Sequence, residues 1–378
     1  MNNSNMKILF NIPPLTGQEL SYIKKAFDSG KLSGDGDFTK KCSEFMEKKF
    51  GAKKVLLTTS GTHALDMAAI LLNLRPGDEV IVPSYTFSST ANAFILRGAI
   101  PKFVDIREDN LNIDEKLIEK SITKKTKAIF LVHYAGVPCE MDTIKKIAKK
   151  YKLFIVEDAA QAINSKYKNK SLGTIGDFGI FSFHETKNIS CGEGGAILIN
   201  NSKFIERAEI IREKGTDRSK FFRGEVNKYG WVDFGSSFLP SEITAAVLWA
   251  QLENLEKIQK RRMGIFEHYH KNLKDLEEKK LLRIPQNAGN YHMFYLILPT
   301  EKKRDELMTY LKSQGILAVF HYLPLHTSKM GKKFGYKKNQ LPITENLSGR
   351  ILRLPLYYNL LKKEQLYICN KIKEFITK

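Results

Sequence analysis

Val156-Glu-Asp-Ala-Ala-Gln161 and, with its first residue 24 positions after Asp158, Ser182-Phe-His-Glu-Thr-Lys-Asn188 decide how this chain is read. Each closes a short apolar run, Leu153–Val156 and Gly179–Phe183, with a turn that carries chemistry. Five more such runs flank them: Val55–Leu57, Glu79–Val82, Ile100–Val104, Ala128–Val132 and Ala196–Ile199. Amphipathic stretches intervene at Ala64–Leu74, Ser89–Arg97, Glu115–Ser121 and Met141–Tyr151. Short apolar runs alternating with helices predict an α/β fold whose mostly parallel, seven-stranded sheet is covered by helices on both faces. Ligands of such sheets gather beyond the carboxyl ends of the strands, where Asp158 and Lys187 both fall.

Upstream, helical spacing predicts a helix over Gln18–Phe27 and another over Thr39–Phe50 that Gly51 ends. Downstream, Pro240 to Leu276 reads as one long helix or a pair. Beyond it, strands at Met293–Leu298 and Ile316–Tyr322 and helices at Arg304–Gln314, Ile343–Leu352 and Lys363–Thr377 predict a smaller α+β unit. The expected division is a large domain over 1–250 and a small C-terminal domain over 251–378, a size that suits two domains.

The chain of 378 residues carries a formal net charge of +20. Its basic residues are scattered, as in KKTK, KKIAKK and KKFGYKK, and no segment interleaves them with aromatics as an RNA-binding strand does. Anionic small molecules suit that charge better than nucleic acid. No run reaches the roughly 18–20 apolar residues of a membrane span, and MNNSNMKILFNIPP lacks the apolar centre of a secretory leader. The cytoplasm is the expected compartment. Cys42, Cys139, Cys191 and Cys369 stand far apart, so neither a metal site nor a disulfide framework is expected.

The chemistry lies in the turns. Lys187 is a candidate Schiff-base lysine, and Asp158 is a carboxylate able to keep a pyridine nitrogen protonated. That pair is what pyridoxal phosphate (PLP) requires. Ser60-Gly61-Thr62 follows a strand and opens a helix, which presents N–H groups to a phosphate; Ser60 reads equally as an N-cap. Ser182 adds a second hydroxyl. Phe87, with Tyr85 as the alternative, offers an aromatic face to a flat ring. Gln161 suits a donor to the cofactor's 3-hydroxyl or a cap of its own turn. His184 contacts the cofactor or packs, and His321, Tyr322 and His326 contact substrate or pack in their loop.

Taken together, Ser60–Thr62, Pro83–Phe87, Glu157–Gln161, Ser182–Lys187, Gly192-Glu-Gly-Gly195 and Pro324-Leu-His326 resemble the sugar-nucleotide aminotransferases of the DegT/StrS type, over essentially the whole chain. That resemblance implies a fold-type-I PLP-dependent transferase working as a homodimer with shared active sites. It assigns Lys187 and Asp158 as catalytic. Ser60, Gly61, Thr62, Phe87, Gln161 and Ser182 then bind cofactor, and Tyr85, His184, His321, Tyr322 and His326 face substrate. Gly235-Ser-Ser-Phe-Leu239 departs from the family's usual Asn-aromatic-Arg step: Ser237 stands at the Asn position, which in the family reaches the neighbouring subunit's phosphate site, and Leu239 at the Arg position.

Lys31–Gly36, Asn92–Gly98, His133–Gly136, Phe221-Phe-Arg-Gly224 and Leu248-Trp-Ala-Gln-Leu252 look like the branch that makes dTDP-4-amino-4,6-dideoxygalactose for enterobacterial common antigen and related surface glycans. It implies L-glutamate as donor and dTDP-4-keto-6-deoxy-D-glucose as acceptor. A C3-aminotransferase acting on a dTDP-3-keto-6-deoxy sugar is the alternative within the family. Sugar dehydratases of this kind carry a histidine where Lys187 stands, and a non-catalytic PLP-fold protein would not need Lys187, Asp158 and Gln161 intact.

Overall fold

A computed structural model describes residues 7–286 and 289–377; the first six residues, part of the stretch read above as lacking a leader, lie outside the described residues. The strands are β1 (Lys54–Thr58), β2 (Glu79–Pro83), β3 (Ile100–Val104), β4 (Thr126–Val132), β5 (Phe154–Asp158), the two-residue β6 (Lys166–Tyr167) and β7 (Lys170–Ser171), β8 (Phe178–Ser182), β9 (Gly195–Ile199), β10 (Phe294–Ile297) and β11 (Ile351–Leu354). Seven of them form one sheet in the order β1-β9-β8-β5-β4-β2-β3.

All neighbours in that sheet run parallel except β9, which is antiparallel to β8 and to β1. The apolar runs are buried along nearly their whole length, as strands covered on both faces must be. One core packs the helices Gly61–Leu71 and Ser88–Ile95 against one face through Leu65, Ala68, Phe94, Phe130 and Ile197. Other cores close the opposite face with Phe38, Met46, Leu57, Phe181 and Leu248, and with Ile129, Leu131, Ile144 and Ile155.

Because β9 is antiparallel to both neighbours, β1 and β8 run the same way and end at the same edge. Thr58 and Ser182 are both register partners of Gly195. A Cβ on Gly195 would lie 2.3 Å from the Ser60 carbonyl carbon, and one on Gly61 would lie 2.9 Å from Ser182 Cβ. Glycine at both positions lets the start of the helix Gly61–Leu71 settle directly on the strand ends.

A second core is built around the antiparallel pair β10–β11 and the helices Leu255–Glu278, Glu301–Ser313 and Lys362–Ile376, through Phe266, Tyr269, Phe294, Leu307, Leu352 and Ile368. Ile8 is fully buried in it and bridges Ile316. The stretch Pro240–Leu276 is a pair, Glu242–Leu252 and Leu255–Glu278, with Ser241 accepting from the Thr244 amide at the first cap. Two expectations fail in this region. Ile316–Tyr322 forms no continuous strand; it makes only the single bridges Ile8↔Ile316 and Val319↔Arg353. The helix expected over Ile343–Leu352 stops at Arg350, since Ile351–Leu354 is drawn into β11 by pairing with β10. Among the described residues no helix is long and apolar enough to cross a membrane.

Candidate active site

Adjacent carboxylates at the end of β5 face opposite sides of the sheet, as the pleat dictates. Glu157 is fully buried and accepts from His133 Nε2 at 3.0 Å and from the amides of Gly173, Ile175 and Gly176 at 2.9, 2.6 and 2.6 Å. It anchors the loop leading into β8. Glu157→Gln would turn an amide N–H against these donors, and an expected loss of about 3 kcal/mol should appear as a lowered urea midpoint.

Asp158, also buried, points the other way. Its Oδ2 accepts from Thr90 Oγ1 at 2.7 Å, and its Oδ1 from the Ala160 amide at 3.2 Å. Thr90 is in turn tied to Thr86 Oγ1 at 2.8 Å. The carboxylate is therefore held in one orientation from the helix that follows β2.

Ser60 is the N-cap of its helix, its hydroxyl accepting from the His63 amide at 3.0 Å. The N–H groups of Gly61 and Thr62 fall in the first turn, where donors have no carbonyl within the helix. Thr62 Oγ1 lies 2.8 Å from Ser89 Oγ. Ser182, at the end of β8, completes a cup of donors at this edge.

Lys187 is carried by a tight turn in which its amide donates to the His184 carbonyl at 2.9 Å. Phe183 and Cys191 close the loop back toward β9 through backbone bonds to Gly194 and Phe183. The lysine side chain is partly buried and lines the cavity. Burial lowers its ammonium from the ordinary 10.5 to about 8; Asp158 opposes that shift and Arg353 adds to it.

A cavity of about 470 Å³ gathers these groups. It brings together Ser60, Gly61, Thr62, Phe87, Asp158, Gln161, Ser182, His184, Lys187, His321 and Tyr322. Gln161 Oε1 accepts from the Ala135 amide at 2.7 Å and its Nε2 donates to Tyr322 Oη at 3.0 Å, which fixes both side chains. His184 lies 3.5 Å from Glu193 at the rim and 2.9 Å from Thr186 Oγ1.

Three expected residues are not brought there. Tyr85 is buried behind the wall, hydrogen-bonded to the His321 carbonyl and 3.3 Å from Tyr134 Oη. His326 is fully buried between Ser84 Oγ at 2.7 Å and Glu345 Oε1 at 3.0 Å, where it ties its loop to the end of β2. The family resemblance implies a substrate-facing role for both, yet each spends its polar atoms inside the fold. Ser237 is exposed and, in a single chain, stands outside the cavity.

The cavity also holds Phe10, Thr90, Glu193, His292 and Arg353, which the sequence reading left aside. His292 is placed by Asn188 Oδ1, 2.9 Å from its Nδ1, and burial holds it well below the usual histidine range. Asn188 follows Lys187 directly, so this pair steadies the lysine's turn from the second core.

PLP demands an amine to meet its aldehyde, a carboxylate for its ring nitrogen, an anion cup and a flat apolar contact. Lys187, Asp158, the helix start at Gly61–Thr62 with Ser182, and Phe87 meet those demands around one cavity. No group of three or more potential metal ligands occurs among the described residues.

The sequence profile of the DegT/DnrJ/EryC1/StrS aminotransferase family matches residues 13–373. GDP-perosamine synthase of Escherichia coli O157:H7 is 34% identical over 371 residues, 97% of each chain. A Streptococcus pneumoniae protein assigned as a sugar aminotransferase superposes in its PMP form with a TM-score of 0.91 at 25% identity, covering 98% of this chain and 99% of that one. The same protein matches in apo and PLP forms with TM-scores of 0.91 and 0.90. Helicobacter pylori PseC, an aminotransferase involved in the biosynthesis of pseudoaminic acid, gives 0.89 at 25% identity over 98% of this chain and all of that one.

Proposed function

The chain belongs to the DegT/DnrJ/EryC1/StrS aminotransferase family of PLP-dependent sugar aminotransferases, and we propose that it moves the amino group of L-glutamate to C4 of dTDP-4-keto-6-deoxy-D-glucose. The product is dTDP-4-amino-4,6-dideoxy-D-galactose, for surface glycans of the enterobacterial common antigen or O-antigen type. The observation that carries the reading is the convergence of Lys187 and Asp158 on one cavity beside the helix start at Gly61. The choice of sugar rests on the stretches that resemble the C4 branch, such as Phe221-Phe-Arg-Gly224. Four free cysteines fit a reducing cytoplasm.

When bound, the cofactor supplies an aldehyde that condenses with amines and a ring that takes up the electron pair of a broken C–H bond. In this reading Lys187 holds the aldehyde, takes the proton from Cα of the amino donor and later returns a proton to C4 of the sugar. Asp158 retains the proton on the ring nitrogen. The Gly61 and Thr62 amides with the Ser182 hydroxyl fix the phosphate, Gln161 and Phe87 orient the ring, and His184, His321 and Tyr322 line the substrate side. Ser237, exposed here, reaches the phosphate site of a second copy, which makes the working unit a homodimer with two shared sites.

A GDP-linked sugar is the second reading, favoured by the identity to GDP-perosamine synthase; amination at C3 of a dTDP-3-keto-6-deoxy sugar is the third. Incubating the holoenzyme with L-glutamate and dTDP-4-keto-6-deoxy-D-glucose, then reading the product by mass spectrometry and proton NMR, separates them. An axial amine at C4 is expected. Conversion of the cofactor by glutamate without amination of this sugar would discard the substrate and keep the aminotransferase.

A further inference from the structure

Three imidazoles line the cavity, those of His184, His292 and His321, and the partners of each decide what it can offer. His184 Nδ1 accepts from the Thr186 amide at 3.2 Å, so its proton sits on Nε2, toward Glu193. His321 Nδ1 faces Tyr134 Oη at 3.1 Å, a hydroxyl able to donate or accept, which leaves either tautomer open. His292 differs from both. Its Nδ1 lies 2.9 Å from Asn188 Oδ1, and the orientation of that amide is dictated by its other arm. That arm lies 3.0 Å from the Asn290 carbonyl oxygen, which only accepts, so it is the NH2 group. Oδ1 therefore accepts, and Nδ1 of His292 carries the proton.

The second nitrogen, Nε2, is thereby a bare acceptor on a ring that is 4% exposed and borders the cavity. It has no hydrogen-bond partner among the described residues. Burial and the charges of Lys187, Arg353, Arg262 and His321 oppose a second proton and hold the ring well below the usual histidine range. The ring is also firmly placed. Arg262 donates to the carbonyls of Tyr291 and His292 at 3.0 and 2.6 Å, and Gln259 joins Asn188 on the Asn290 carbonyl at 2.9 Å.

A donor for Nε2 stands in the same cavity. The Lys187 amine likewise has no hydrogen-bond partner among the described residues. Its charge is the largest of those acting on His292, and Asn188, which clamps the ring, is the next residue along the chain. Asp158 already accepts from Thr90 and Ala160. A buried donor and a buried acceptor, each otherwise unsatisfied, are both costly unless they meet.

We propose that His292 is a positioning residue for Lys187: its Nε2 accepts a hydrogen bond from the lysine's amine whenever that amine is free of the cofactor, and so aims the amine's lone pair at the reacting carbons. This rests on the aminotransferase reading above.

Two variants separate the ends of the ring. His292→Asn keeps a donor near the place of Nδ1 and has nothing at Nε2; His292→Gln carries its amide near the place of Nε2 and gives up Asn188. The first readout needs no cofactor. An acceptor at Nε2 favours the ammonium, so acetylation of Lys187 in cofactor-free protein at neutral pH, read by peptide mass mapping, should be about fivefold faster in His292→Asn and near the wild-type rate in His292→Gln. In holoenzyme, His292→Asn should slow the glutamate-driven loss of the cofactor's aldehyde-form absorbance about 10–30-fold at saturation, with the half-saturating concentration within about threefold. The opposite order in the acetylation rates would reduce His292 to a structural tie on Asn188 and overturn the proposal, as would wild-type rates in both variants. If neither variant folds, imidazole nitrogen NMR of the wild type decides: a protonated Nδ1 and a bare Nε2 are expected, and a proton on Nε2 refutes the assignment. Wild-type cofactor that no amino acid converts would instead remove the aminotransferase reading beneath it and leave the acetylation and tautomer results standing.

Discussion

Lys187→Ala is expected to lower turnover by at least about 10⁴-fold while the protein stays folded, because one amine both holds the cofactor and carries the proton between reacting carbons. The side chain faces the cavity from a turn held by backbone bonds at either end, so its removal leaves space without disturbing the sheet. Borohydride reduction and peptide mapping should put the cofactor's mass on the peptide bearing Lys187 in the wild type alone, and a small primary amine should restore part of the variant's rate. The depressed basicity adds a pH signature. With its ammonium held at about 8 rather than 10.5, the neutral base is present above about pH 8, and the rate of a lysine-dependent step rises through that value. In the cofactor-free protein the unfolded chain binds the extra proton between about 8 and 10.5, so stability contributed by this group increases with pH across that window. The urea midpoint of the wild type should rise relative to that of Lys187→Ala over the same range. Substantial turnover in the alanine variant would end the assignment of Lys187.

The parts of this site that were legible in the sequence are those tied to strand ends. An apolar run followed by a polar turn marks where a chain leaves the sheet, and the parallel rhythm says that those exits share an edge. Asp158, Ser182, Lys187 and the Gly61 turn were found that way, and the sheet brings all four to one cavity. What the pattern does not encode is direction at a single residue. Tyr85 and Phe87 sit two apart after β2, yet Tyr85 is sealed against Tyr134 while Phe87 is exposed over the cavity. His326 offered an imidazole near a strand end, but Ser84, 242 residues away, claims it.

The residues missed came from elsewhere in the chain. Thr90 meets Asp158 across 68 residues, and nothing in a helix beginning Ser88-Ser-Thr-Ala announces it. His292 and Arg353 reach the cavity from just ahead of β10 and from β11, far along the chain from the lysine's turn. Arg353 stood beyond a stretch read as helix, whereas the pairing of Ile351–Leu354 with β10 turns it toward the cavity. Ile8 and Phe10 join the same region from the N-terminus. Those contacts depend on how separate segments pack, and a one-dimensional pattern of apolar residues does not carry them.

Asp158→Asn should lower turnover by about 10²–10³-fold, since the change removes charge with almost no change of shape. The amide oxygen can still accept from Thr90 Oγ1 or from the Ala160 amide, so the side chain keeps its pose. What it loses is the negative charge that retains a proton on the ring nitrogen, and with it the ability of that ring to take up electrons from the breaking C–H bond. The effect should fall on the proton-transfer steps of both half-reactions alike. Cofactor should also dissociate more readily, measurable by dialysis followed by absorbance. Thr90→Ala offers the control: it removes a hydroxyl that orients the carboxylate and leaves the charge, so a loss nearer tenfold is expected. If Asp158→Asn turned over at the wild-type rate, the carboxylate at the end of β5 would be an ordinary turn residue, and the ring nitrogen's partner would have to be sought elsewhere in the cavity.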